Sequence, residues 1–107
     1  MTPASVRHPG LEAPQLERAL RHAHPQDARP LEGQPDWPGH ASFMNALAGE
    51  GFVRLGGPLE GSADVLLIVS AASADEARAR LAKDPWEGNG LLRTVRIAPW
   101  NLRLGSL

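Results

Sequence analysis

Cysteine and tyrosine are absent from this 107-residue chain, and lysine occurs once, at Lys83. Without cysteine there is no disulfide framework, no thiolate nucleophile and no zinc–thiolate site. Neither sign of charge prevails: eleven Lys and Arg stand against twelve Asp and Glu, and the cations are scattered instead of forming a stripe. That pattern lacks the footprint of phosphate-backbone binding, so no nucleic-acid partner is expected. Long apolar runs are missing too. The longest, Val65 to Val69, is far short of the roughly 20 residues of a spanning helix, and the N-terminus has no apolar stretch behind a basic start. The expectation is a soluble, cytoplasmic protein with no membrane partner, and the length fits one domain that buries about two thirds of its unfolded surface.

Proline is plentiful but unevenly placed, with seven of the ten in the first 38 residues. No alternating apolar run marks a strand there. Residues 1–27 read as an irregular arm whose one ordered candidate is a short helix from Pro14 to Ala23, where Leu16, Ala19, Leu20 and Ala23 recur on one face. The Arg-, Ala-, Gly- and Pro-rich composition is that of a GC-rich gene, in which wrong starts survive easily, and a misread N-terminus is expected.

The body of the domain, residues 28–107, is clearer. A helix is predicted from about Pro38 to Gly49, with Phe43, Met44 and Leu47 on its apolar face, His40 in its first turn and Gly51 as its stop. Phe52 to Leu55 reads as a short strand broken by Gly56-Gly57-Pro58. Asp64 to Ala71, rich in Val and Ile, reads as a buried strand pairing antiparallel with it. Ser73 and Glu76 form a capping box that opens a helix to about Lys83, with Ala77 and Leu81 inward. Pro85 ends that helix and leaves Asp84 at its end. The last strand, Arg93 to Leu104, changes its apolar parity, which places a bulge or kink at Pro99.

Asp84-Pro85-Trp86-Glu87-Gly88-Asn89-Gly90, the strand Val95-Arg96-Ile97-Ala98-Pro99-Trp100, His40 within Gly39-His40-Ala41-Ser42-Phe43-Met44, and Gly56-Gly57-Pro58-Leu59 together resemble the signature of the YCII-related (YciI-like) family over residues 28–104. The resemblance implies an α+β, ferredoxin-like βαββαβ fold of the dimeric α/β-barrel type, in which the first strand lies centrally between the third and fourth. No such strand is legible, so it is expected to be missing or replaced. A homodimer is expected, with Val65, Leu67, Val69 and Trp100 covering the sheet face that the helices leave open.

His40 can exchange a proton near neutrality, since imidazole titrates at about pH 6.5; a solvent-exposed or capping histidine is the plainer reading of the sequence alone. Asp84, by itself, is a solvated helix-end acid that is slightly unfavourable to the helix dipole. The family motif places a His and an Asp at these positions, and the resemblance implies that they pair in a cleft and act as a catalytic proton-transfer unit. It also brings Gly57 and Pro58 near the cleft as ligand-binding residues, against a turn that simply needs glycine. Trp86 and Trp100 are large surfaces for a ligand or for packing. His22-Ala23-His24 does not make a metal site, because helical residues two apart diverge. No metal and no cofactor are expected. Two functions follow from the resemblance: a small-molecule lyase or isomerase, dehydrochlorinase- or muconolactone-isomerase-like, acting on an activated ring or lactone-like substrate, or a non-catalytic dimeric ligand-binding module.

Overall fold

The computed structural model describes residues 15–107. Four strands form one antiparallel sheet: β1 (Leu16–Ala23), β2 (Val53–Pro58), β3 (Asp64–Ser70) and β4 (Leu92–Trp100), in the order β2-β3-β1-β4. Helix α1 (Trp37–Gly49) joins β1 to β2, and α2 (Ala74–Leu81) followed by the short α3 (Pro85–Gly88) joins β3 to β4. This is the ferredoxin-like βαββαβ order, with the first strand in the middle.

The expected absence of that strand is therefore overturned. Leu16–Ala23 is a strand and not a helix, bonded to β3 on one side and β4 on the other. The residues of this segment that suggested a helix lie on both faces of the sheet. Glu17, Ala19, Arg21 and Ala23 are buried beneath the helices, whereas Arg18, Leu20 and His22 are more open. Two flanking ladders satisfy the backbone of an eight-residue segment that has little propensity of its own. The proposed arm of residues 1–27 accordingly contains a central element of the fold, while residues 1–14 lie outside the described residues.

The remaining elements follow the sequence closely. Leu47 is buried, and Phe43 and Met44 pack against a core formed by Ala19, Phe52, Leu67, Val69, Ala77 and Leu81. The Ser73 hydroxyl accepts the Glu76 N–H, while the Glu76 carboxylate takes the N–H of Ala72, one residue before the expected Ser73. Gly56-Gly57-Pro58 does not break β2 but completes it, which an edge strand allows because its outer backbone groups need no partner. The irregularity expected at Pro99 is at Val95. Pairing with β1 passes from Leu20–Arg96 to Arg21–Thr94, so Val95 is the extra residue of a bulge. Thr94 and Ile97 thereby both reach the helix side despite their odd spacing. Val65, Leu67 and Val69 also belong to the helix side, so they do not cover the open face as expected; there, Arg18, Leu20, Leu59, Leu66 and Arg96 line a shallow hollow of about 270 Å³.

Candidate functional site

A second apolar cluster of Ala23, Trp86, Leu91 and Leu92, flanked by Leu31, Trp37 and Val65, sits where α1 begins and α3 follows α2. Its polar centre is Asp84, only 1% exposed. Two local rules put it there. Pro85 drives Asp84 out of the helical region, to φ −62° and ψ 129°, and the freed carboxylate caps the next turn by accepting the Trp86 N–H at 2.9 Å. Asp84 thus lies past the end of α2, in the turn that follows it, and caps the start of α3, where a carboxylate is favoured; the dipole penalty expected of a C-terminal acid does not apply.

His40 meets it across 44 positions of sequence. Its Nδ1 lies 2.8 and 3.0 Å from the two Asp84 oxygens. An ionised carboxylate can only accept, so Nδ1 carries the hydrogen and Nε2 of the neutral ring holds the lone pair. Among the described residues Nε2 has no hydrogen-bond partner and is not sealed from solvent. The ring stacks on Trp86 at 3.9 Å between centroids with planes 6° apart, and Trp37 flanks both rings. Trp86 is itself fixed by an Nε1–H bond to the Pro35 carbonyl, which ties α3 to the approach of α1. Asp36, immediately before α1, is left-handed at φ 60°, and its carboxylate lies against Gly39, where a Cβ would come within 2.5 Å of Oδ1. Glycine before His40 therefore keeps the helix entry compact.

Three polar residues of the site went unnoticed in the sequence. Arg21, 1% exposed, donates through Nη2 to Asp84 at 3.0 Å and to Glu87 at 3.2 Å, and the Thr94 hydroxyl donates to Glu87 at 2.7 Å. Recognising β1 as a strand would have revealed Arg21, because it lies on the inward parity between two buried alanines. Burial works to raise the Asp84 pKa, but the His40 hydrogen bond, the Trp86 N–H and the charges of His40 and Arg21 outweigh it and hold the carboxyl below its ordinary value.

The structure brings His40, Asp84 and Trp86 together and leaves other candidates apart. Pro58 shares a cross-sheet row with Val65 and Arg21, two strands from Arg21, or about 9.6 Å. Gly57, next to the inward Gly56, is turned to the opposite side, and no hydrogen bond links either residue to the pair. Trp100 lies at the far end of β4, opposite Leu16. His22, in β1, and His24, just past its end, come together contrary to the helical expectation, with centroids 4.7 Å apart, and His22 bonds Asp64 at 2.6 Å. Among the described residues no group of three His, Asp or Glu side chains is arranged to hold a metal, and no helix is long and apolar enough to cross a membrane.

The pattern of the YCII-related domain matches residues 16–101, which includes β1 and all that follows to the end of the sheet. The chain belongs to the YCII-related family. Among solved structures it is similar to the 5-chloro-2-hydroxyhydroquinone dehydrochlorinase of Burkholderia phenoliruptrix AC1100 in complex with 2,5-dihydroxybenzoquinone, with a TM-score of 0.62 and 23% identity over 80% of this chain and 93% of that one. At this identity the likeness establishes the fold. A comparison with curated proteins finds no match.

Proposed function

We propose that this YCII-related protein is a small-molecule enzyme of the lyase or isomerase kind in which His40 moves a proton and Asp84 orients and supports the imidazole. The observation that carries the reading is the pair itself: Nδ1 is held by a buried carboxylate while Nε2 is left without a partner among the described residues. A base so oriented accepts a proton from a substrate hydroxyl or an activated C–H, and returns it to another atom in an isomerisation or loses it with a departing anion in an elimination. Neither outcome needs an oxidant. Positioned proton transfer contributes roughly 10²- to 10⁴-fold, which suits an already acidic ring. The ligand in the structural neighbour makes hydroxylated quinone-type rings the first substrates to assay, and the face of Trp37 beside His40 suits a planar molecule.

A homodimer accompanies this reading, in the cytoplasm. Leu20 and Leu66, exposed in part on the helix-free side of the sheet, supply an apolar surface for a second copy, and light scattering should give about twice 11.5 kDa. The function is tested by following absorbance and chloride release on 5-chloro-2-hydroxyhydroquinone, and solvent deuterium uptake into unchlorinated hydroxyquinols, for the wild type and a folded His40→Ala variant. Turnover that disappears with His40 supports the enzyme. Saturable binding of 2,5-dihydroxybenzoquinone with no turnover of any of these compounds supports the ligand-binding module, and full turnover without His40 removes the assignment.

A further inference from the structure

Arg21 is the one buried cation of the central strand, and its surroundings are unequal in charge. One guanidinium faces two carboxylates, Asp84 at 3.0 Å and Glu87 at 3.2 Å. Its Nη1 has only the Met44 sulfur, at 3.8 Å, and its Nε has no partner among the described residues. Packing alone is poorly served by such a group, because burying a guanidinium with unfilled donors is costly. Glu87 is in turn held from β4 by Thr94 at 2.7 Å. Three segments, β1, α3 and β4, thus converge on Asp84, whose Oδ2 meets both Arg21 and His40.

We propose that Arg21 is a positioning residue for the His40–Asp84 pair, oriented by Glu87 and Thr94, and that the cluster is charge-balanced only when His40 carries a proton. With a neutral ring, one cation stands against two anions; the imidazolium supplies the missing charge. Arg21 and Glu87 then act on His40 in opposite senses. The guanidinium fixes the Asp84 carboxylate while opposing a second positive charge, which keeps the ring available as a base. Glu87 favours the protonated ring once the proton has been taken. The other charged group at the entry is Asp36, before α1; from β4 the cluster receives only the uncharged Thr94. The inference gives the proton-transfer reading its electrostatic basis and rests on that reading for its catalytic meaning, but its test needs no substrate.

The test is the titration of the His40 ring signals by NMR in the full-length protein, assigned by their loss in His40→Ala. Arg21→Met should move the titration up and Glu87→Gln should move it down, while Arg21→Lys, which keeps the charge, should restore most of the wild-type midpoint. A purely structural Arg21 would lower the melting temperature and leave the midpoint in place. Should Arg21→Met fail to fold, Glu87→Gln decides. Glu87 is partly exposed, at 17% of its side chain, so its amide variant should keep the fold, and an unmoved midpoint there overturns the proposal. Opposite shifts together with no turnover of any hydroxyquinol would leave the positioning role standing and remove the enzyme reading alone.

Discussion

Two His–Asp pairs lie on opposite sides of β1, and they are close to equal in length. His40 and Asp84 approach to 2.8 Å beneath the helices; His22 and Asp64 approach to 2.6 Å on the open side. Their surroundings separate them. The side chains of His40 and Asp84 are 13% and 0% exposed, those of His22 and Asp64 41% and 31%. Asp84 also accepts from Arg21 and from the Trp86 N–H, and His40 has an aromatic platform. Distance alone therefore does not mark a site. What distinguishes Asp84 is the number of donors gathered where water cannot screen or replace them.

Removing one acid from each pair gives the largest contrast. Asp84→Ala should cost about 3–5 kcal/mol in chemical denaturation, because it leaves Arg21 buried with Glu87 as its sole carboxylate partner. The acid limb should change with it. Asp84 has a depressed pKa, so its contribution is complete above the ordinary carboxylate value and is lost as pH falls through the lower folded-state value. A Tm-against-pH series should show that component in the wild type and not in Asp84→Ala; an unchanged acid limb would remove Asp84 from the account of acid stability.

His40→Ala should cost less, about 2 kcal/mol, through the lost stack on Trp86 and the bond to a charged acceptor. The variant should still fold, since Asp84 keeps Arg21 and the Trp86 N–H. Glu17 sharpens the comparison from another side: it is fully buried, and among the described residues neither carboxylate oxygen has a hydrogen-bond partner. Glu17→Met should raise stability by about 1 kcal/mol by removing an unsatisfied polar group, and a loss of similar size would show that the carboxylate has a partner. The smallest effect is expected at Asp64→Ala, under about 1 kcal/mol, as for other half-exposed ion pairs; 0.5 M salt should erase much of it. A loss at Asp64 as large as that at Asp84 would end the distinction between the two pairs.

The sequence by itself determined the local events. Pro85 fixed the break after α2, Ser73 fixed its start, Leu47 and its neighbours fixed the inward face of α1, and the Val- and Ile-rich run of β3 announced a buried strand. Each depends on residues a few positions apart, where sterics, capping and side-chain periodicity act. The motif residues His40 and Asp84 were likewise visible as members of a family pattern, though not as neighbours in space. Only the tertiary structure decided β1, whose inward positions carry Glu17 and Arg21 instead of branched apolar side chains. Its strand state comes from ladders to β3 and β4, formed with residues more than forty positions away, and intrinsic propensity yields to such pairing. The geometry of the cluster follows from that decision: once β1 is central, Arg21 is delivered against Asp84, and the buried cation beside the His40–Asp84 pair comes from a segment whose local pattern spelled a helix.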